Sequence, residues 1–368
     1  MKVIVIGAGA AGLSIGWRLA QAGADVVVIE RAAPGGGATW AAAGMIAAPG
    51  DAPDAGNAED QLAWQSAESW PRFAAEIEEA SGRFISFHRN GALAVAFTQQ
   101  QTDALGARAE CGEGEIISID AALAREPLLN PAISSALWME NEAQVDNRAL
   151  GPALAIAFER AGGSLLVNET VVRFECHENR VLGVRTPFAV YHGDAYVLAA
   201  GAWSARIEGL PPGVMPPVIP VKGEMLALEP PAGETMPASA IVGNDIYLVG
   251  QRGQFLVGAT VTREGFDTST TDAAGRWLFD GAASLIPSLG RWSVAEHWAG
   301  LRPGTPDDLP VLGISLIDNL FIASGQYRSG ILYAPAVADA LAALIQGQDA
   351  PFDLAAFNPG RFRGTHYV

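Results

Sequence analysis

Cysteine, histidine and positive charge are all scarce in this chain of 368 residues. The two cysteines, Cys111 and Cys176, allow one disulfide at most and form no C-x-x-C pair. Free thiols in a reducing compartment are the expectation. The five histidines, at positions 88, 177, 192, 297 and 366, show no metal-ligand spacing. No metal, no Ser/His/Asp triad and no nucleophilic cysteine is predicted. Only 23 basic residues face 40 acidic ones, a net charge of -17. That balance argues against nucleic acid or an anionic membrane as partner. No apolar run reaches the roughly 20 residues that cross a bilayer as a helix. Lys2 precedes an apolar stretch, as in a targeting segment, but the stretch runs into a glycine turn and a second strand, so it reads as fold. A soluble cytoplasmic protein is expected.

What is present is a packed chain, with 49% hydrophobic and 17% charged residues. The length suggests about two domains. The chain opens on Val3-Ile4-Val5-Ile6, then Gly7-Ala8-Gly9-Ala10-Ala11-Gly12, then a second run, Val26-Val27-Val28-Ile29, ending in Glu30. Strand, glycine turn, helix, strand and acid form the unit that binds a dinucleotide. Gly7 permits the turn, Gly9 admits a pyrophosphate, and Gly12 lets the helix pack on its strand. The free N–H groups at the helix start favour phosphate. Glu30, roughly 20 residues beyond the glycines, suits a ribose diol. The bland alternative is a tight turn with no ligand.

Further along, residues 34–39 and 49–57 read as loops. Residues 58–81 carry Leu62, Trp70, Phe73 and Ile77 near helical spacing. Residues 92–97 suggest a strand, and 98–110 and 120–126 short helices. Asp146 is a candidate cap for a helix through Arg160. Alternating runs at 165–167, 170–175, 181–185 and 189–192 suggest an antiparallel meander. A buried strand is expected over 196–203, ending in small residues and glycine, another at 221–228, a hairpin of 246–249 and 255–261 around Gln251-Arg252-Gly253, and a helix at 272–285. Residues 320–323 then read as a strand, 325–330 as a glycine-flanked loop and 331–345 as a helix. The α/β character of the start thus returns at the end, with β-rich chain inserted between.

At this point the chain resembles the D-amino-acid-oxidase superfamily of flavoproteins, most closely its glycine oxidases linked to thiamine thiazole synthesis. The resemblance rests on residues 7–12 with Glu30, Ala41-Ala42-Ala43-Gly44-Met45, Ala200-Gly201-Ala202-Trp203-Ser204, Val221-Lys222-Gly223-Glu224, Gly258-Ala259-Thr260, Ala299-Gly300-Leu301-Arg302-Pro303-Gly304-Thr305, and Tyr327-Arg328-Ser329-Gly330-Ile331-Leu332-Tyr333-Ala334-Pro335. Their joint occurrence in this order carries it. It implies an α/β fold with α+β elements: a discontinuous Rossmann-like FAD-binding domain (residues 1–83, 146–215 and 296–368) and an inserted antiparallel β-rich substrate-binding domain (84–145 and 216–295). It also implies non-covalent FAD and a homo-oligomer, a homotetramer in the family.

Carried over by position, Gly7, Gly9, Ala10, Ala11 and Gly12 would face the pyrophosphate, and Glu30 and Arg31 the adenosine ribose. Ala38 and Thr39 match positions near the phosphates and ribityl chain. Ala43, Gly44 and Met45 match the segment along the isoalloxazine ring, and Val171 a backbone contact to adenine. Gln326, Tyr327, Arg328, Ser329, Gly330, Ile331 and Leu332 would wrap the pyrimidine end of the flavin. A run of Ala and Gly lets backbone amides approach a flat ring; its alternative is a small-residue packing seam.

An amino-acid substrate needs a carboxylate clamp, which the planar fork of arginine supplies. By resemblance Arg302 binds that carboxylate, Tyr247 donates to it, and the Arg328 carbonyl receives the substrate amine. The alternatives are an ion pair between Arg302 and an acid such as Asp307, and an ordinary strand aromatic at Tyr247. No general base stands in these motifs. Hydride transfer from Cα to flavin N5 needs a positioned neutral amine, not a strong base. Val261, Gln326 and Ala47 depart from the nearest family pattern and bear on pocket size. The implied reaction is oxidation of glycine, sarcosine or small D-amino acids by O2. The alternatives are a dehydrogenase of the same fold using another acceptor, and a non-catalytic flavin-binding protein.

Overall fold

The computed structural model describes residues 1–47, 50, 57–234 and 236–363. The loop expected at 49–57 falls outside them at 49 and 51–56, as does His366. A six-stranded sheet runs in the order Val311–Ile314, Leu320–Ser324, Ala195–Leu198, Lys2–Ile6, Asp25–Ile29, Ser164–Leu166. Its pairs are parallel except the outer one, Val311–Ile314 with Leu320–Ser324. Parallel strands covered on both faces need unbroken apolar runs, which is what the sequence supplies. Side chains alternate between the two faces. Val3 and Val5 join a core made with the helices Ala10–Gln21, Ala58–Ser81, Asn147–Arg160 and Ala334–Ile345. Ile4 and Ile6 join the opposite core, with Phe174 and Val184 of a three-stranded antiparallel sheet.

An eight-stranded sheet runs Ser293–Gly304, Ile219–Glu229, Gln254–Gly258, Ile246–Gln251, Ala240–Gly243, Ala92–Ala96, Ser135–Met139, Glu115–Ile117. It is antiparallel except where Ala240–Gly243 meets Ala92–Ala96. The helix Asp272–Leu285 seals one face through Leu278, Ala282 and Leu285. The strand Ser293–Gly304 carries this sheet past residue 295. Among the described residues no helix is long and apolar enough to cross a membrane. Cys111 is exposed and Cys176 half-buried, and the two are unpaired.

Local signals place the helices as expected. Asn57 and Asp146 cap their helices with side-chain oxygens, and the Thr98 cap and Gln101 form a reciprocal capping box. Four expectations are corrected. Ser164–Leu166 pairs in parallel with Asp25–Ile29 and is not part of the meander, because it follows a helix as the strand of a crossover unit does. The meander itself starts at Arg173. The last α-helix begins at Ala334, not 331, with Pro335 in its first turn, where a missing N–H costs nothing. The strand after the hairpin ends at Gly258, and the chain beyond it follows Lys222 and Glu224 more loosely.

Gly12 sits where the helix Ala10–Gln21 presses on the turn. A Cβ there would stand 2.0 Å from the Gly7 carbonyl oxygen. Gly12→Ala is therefore expected to cost about 1–3 kcal/mol as an overpacking change, read as a lower thermal midpoint. A variant melting with the wild type would remove close packing as the reason for this glycine.

Candidate active site

Between the two large sheets lies a cavity of about 1410 Å³. Every position carried over to the cofactor or the substrate lines it except Gly12. At one end the strand Lys2–Ile6 turns at Gly7, whose φ of 104° and approach to Ala199 exclude a side chain: a Cβ would lie 2.5 Å from the Ala199 carbonyl oxygen. The helix Ala10–Gln21 opens onto the cavity. Its N-cap is Gly9, which has no capping side chain, and the Ala10 N–H donates to Thr39 Oγ1 at 3.0 Å. Glu30 accepts from the Ala8 N–H at 2.7 Å and from the Ala32 N–H at 2.9 Å, one bond per oxygen. Each carboxylate oxygen keeps a lone pair for a hydroxyl. Arg31 lies 3.4 Å over the Trp203 ring, and burial lowers its guanidinium pKa from the ordinary value. Val171 closes this end.

The wall at residues 38–45 is a short helix, Ala38–Ala41, followed by the two-residue strand Met45–Ile46. Its carbonyls are drawn outward. Asn147 Nδ2 donates to the Thr39 and Trp40 carbonyls at 2.9 and 2.8 Å. Trp298 Nε1 donates to the Ala41 carbonyl at 3.0 Å. Gln251 Nε2 donates to the Ala43 carbonyl at 2.6 Å and the Val145 carbonyl at 2.9 Å, and the Val145 N–H donates to the Gly44 carbonyl at 2.9 Å. Arg148, paired with Glu296 at 2.9 Å, lies against both Trp40 and Trp298, whose rings meet edge to face. Sequence reasoning missed Asn147, Arg148, Gln251 and Trp298. Asn147 looked like an ordinary first-turn residue beside its cap, and Gln251 like a hairpin polar residue.

At the other end stand Arg302, on Ser293–Gly304, and Tyr247, on Ile246–Gln251. Arg302 Nη1 donates to the Thr260 carbonyl at 3.1 Å and reaches the Lys222 carbonyl at 3.5 Å. No carboxylate pairs with it among the described residues; Asp307 is taken by Arg361 at 2.8 Å. The expected alternative of an Arg302–Asp307 pair is thus set aside. Burial raises the pKa of the Tyr247 phenol, while Arg302 and Arg328 pull it down. Two glycines make room: a Cβ on Gly223 would lie 2.3 Å from Arg302 Nη1, and one on Gly258 2.3 Å from the Tyr247 ring.

The third wall is the loop before the last α-helix. Tyr327 takes a left-handed conformation, φ 44°, and its N–H donates to the Pro303 carbonyl at 3.0 Å. Trp70 Nε1 holds the Leu332 carbonyl at 2.9 Å. Gln326 is buried on the cavity, and its Nε2 has no hydrogen-bond partner among the described residues.

Residues 2–344 match the family model described as FAD dependent oxidoreductase, DAO. The chain is 33% identical to the glycine oxidase of Pseudomonas aeruginosa, over 97% of this chain and 98% of that one. It is also 33% identical to the bifunctional protein ThiO/ThiG of Trichormus variabilis over 98% of its own length, while spanning 55%, about half, of that longer protein. The crystal structure of glycine oxidase from Geobacillus kaustophilus superposes with a TM-score of 0.92 at 31% identity, covering 98% of this chain and 99% of that one. The residues present fit FAD: a helix N-terminus open to the cavity, a carboxylate with lone pairs to spare, and the orphaned buried amide of Gln326 each call for a polar partner of the right sign.

Replacing Gln251 by Leu would strip two buried carbonyls of their donor, a loss of about 1–3 kcal/mol. The expected result is weaker FAD retention on dialysis and a lower melting temperature for the apoprotein. Unchanged FAD affinity would show that residues 43–45 hold their shape without this side chain.

Proposed function

The chain belongs to the DAO family of FAD-dependent oxidoreductases, and from that premise we propose that it oxidises glycine, and with it sarcosine and small D-amino acids, to the 2-oxo acid, hydrogen peroxide and the amine set free by hydrolysis, which is ammonia for glycine and the D-amino acids and methylamine for sarcosine. The observation that carries this reading is Arg302, a cation without an acidic partner among the described residues, placed on the cavity beside Tyr247. A guanidinium whose own protein bonds go to carbonyls keeps donors for a bidentate carboxylate. Tyr247 Oη adds a donor on the same side, beside the Arg302 guanidinium and with Met225 Sδ at 3.8 Å. The Arg328 backbone, in the loop at the third wall, is the acceptor we assign to the amine.

When bound, FAD supplies the hydride acceptor and, on reoxidation, passes the electrons to oxygen. The chain's own part is to hold the carboxylate so that Cα faces the ring-side wall of residues 43–45, and to keep the amine neutral. No His, Glu or Lys is needed as a strong base, because Cα would lose hydrogen with its electron pair, the lone pair of the neutral amine would form the C=N bond, and the iminium so formed would release one N–H proton to water. For glycine, water then converts the released iminoglycine to glyoxylate and ammonia. The residues assigned to FAD are those carried over by position: Gly7, Gly9, Ala10, Ala11, Glu30, Arg31, Ala38, Thr39, Ala43, Gly44, Met45, Val171 and the loop from Gln326 to Leu332. Gly12 is assigned a packing role in place of a contact. A cytoplasmic homotetramer supplying thiamine thiazole synthesis completes the reading, on the resemblance set out above and on the scarcity of cysteine.

The test is a flavin-loaded preparation mixed anaerobically with small amines. Bleaching by glycine, followed by peroxide on aeration, supports the oxidase. Bleaching that oxygen barely reverses identifies a dehydrogenase, and no bleaching with any amino acid sinks both. Arg302→Ala is expected to raise the KM for glycine roughly 100-fold, about 3 kcal/mol of charge-assisted hydrogen bonding, with FAD retained.

A further inference from the structure

We propose that Lys222 is a positioning residue for Arg302: from a buried site it latches residues 259–271 down along the cavity rim and so fixes the Thr260 carbonyl on which the guanidinium is aimed. The proposal rests on the reading of Arg302 as the carboxylate clamp.

Lys222 lies on the strand Ile219–Glu229 and is fully shielded, at 0% exposure. A buried ammonium is tolerated only when paired. Its partners come mainly from a surface segment. Nζ meets Glu264 Oε2 at 2.8 Å and Asp267 Oδ2 at 3.3 Å, both acids being about half exposed, with Glu224 Oε1 farther off at 3.9 Å. The two nearest partners of Lys222 are in place only while that segment lies across it.

The same stretch is tied at both ends to the neighbouring residues of this strand. At its start, Lys222 and Thr262 exchange backbone bonds of 2.9 and 3.0 Å, and the Glu224 N–H donates to Thr260 Oγ1 at 2.8 Å. At its end, Glu224 takes the Thr271 N–H at 2.8 Å and also meets His297 Nε2 at 3.0 Å. In its middle, Phe266 rests against Trp203, the ring that carries Arg31. The segment is thus a strap from the carboxylate end of the cavity toward the dinucleotide end, and Lys222 is its central anchor.

The geometry links this anchor to Arg302. Arg302 pairs with Val221 across the strands, one residue from Lys222, and its Nη1 is oriented by the Thr260 and Lys222 carbonyls. If the strap lifts, the Thr260 carbonyl leaves and the guanidinium loses the bond that sets its direction. Misplacement of a binding group weakens ground state and transition state together, so the effect falls on KM and not on kcat.

The experiment uses the FAD-loaded protein and three variants: Lys222→Met, Lys222→Arg, and the surface pair Glu264→Gln with Asp267→Asn. Acetate, as a plain carboxylate, is titrated against the flavin spectrum; glycine kinetics and the rate of tryptic cleavage after Arg263 in the strap are measured alongside. Lys222→Met and the acid pair are expected to cleave faster, to bind acetate roughly tenfold more weakly and to raise KM by the same factor, with kcat within about twofold of wild type. Lys222→Arg should restore most of the affinity, and combining Lys222→Met with the acid pair should add little. If Lys222→Met does not fold, the acid pair, which changes only half-exposed side chains, decides. Wild-type acetate affinity and KM in a folded acid-pair variant overturn the proposal, as does failure of the wild type to bind acetate at all. Acetate binding by a wild type that no amino acid reduces would instead remove the oxidation reading and leave the latch standing.

Discussion

A wall of small residues that bares its backbone to a cavity must find donors for its carbonyls elsewhere. In residues 39–44 this is done by side chains from outside the segment: Asn147 takes two carbonyls, Trp298 one and Gln251 another. None of these donors belongs to the glycine-rich turn that identifies the fold. They come from a helix of the parallel sheet and from two strands of the antiparallel one, so the segment exists in this shape only where the two layers meet. The contact is close. A Cβ on Gly300 would stand 2.3 Å from that of Ala41. Small residues at 41–44 are therefore demanded twice, by the cavity on one side and by the second sheet on the other, so the packing seam that the sequence offered as an alternative is present in this run.

The same junction places the charges. The parallel layer presents Glu30 and an open helix end, while the antiparallel layer presents Arg302 and Tyr247. The strand Ser293–Gly304 serves both ends, since Trp298 pins the wall at residues 38–45 and Arg302 stands four positions on, within one strand. A rigid element thus fixes the spacing between that wall and the guanidinium, and a rigid element places a site more closely than a loop does.

Much of this was legible in the chain. The turn at Gly7, the capped helices at 58–81 and 147–160 and the hairpin at Arg252-Gly253 all declare themselves through local geometry: positive φ, capping oxygens, and apolar residues at helical period. Arg302 declared itself as a charge in an apolar, glycine-rich strand. What escaped was long-range pairing of polar groups. Asn147 is 108 residues from Thr39, Gln251 is 208 from Ala43, and Trp298 is 257 from Ala41. A buried amide that serves a distant carbonyl leaves no period or spacing to read. The late start of the last α-helix escaped for the opposite reason: the apolar run from 331 looked helical, and Pro335 was the local signal that outweighed it.

The order of the parallel sheet also has a consequence for how the protein is made. The strand Lys2–Ile6 pairs with Ala195–Leu198, which pairs in turn with Leu320–Ser324, and the helix Ala334–Ile345 packs on the first helix of the chain. The strand Lys2–Ile6 and the helix behind it are made long before these partners. The loop at 326–332 completes the cavity only after the rest of its lining has been made. Until then the strand edge at Ala195–Leu198 and the apolar face of the first helix wait for their final cover, and that is the period in which nascent chains of this topology are most exposed to aggregation.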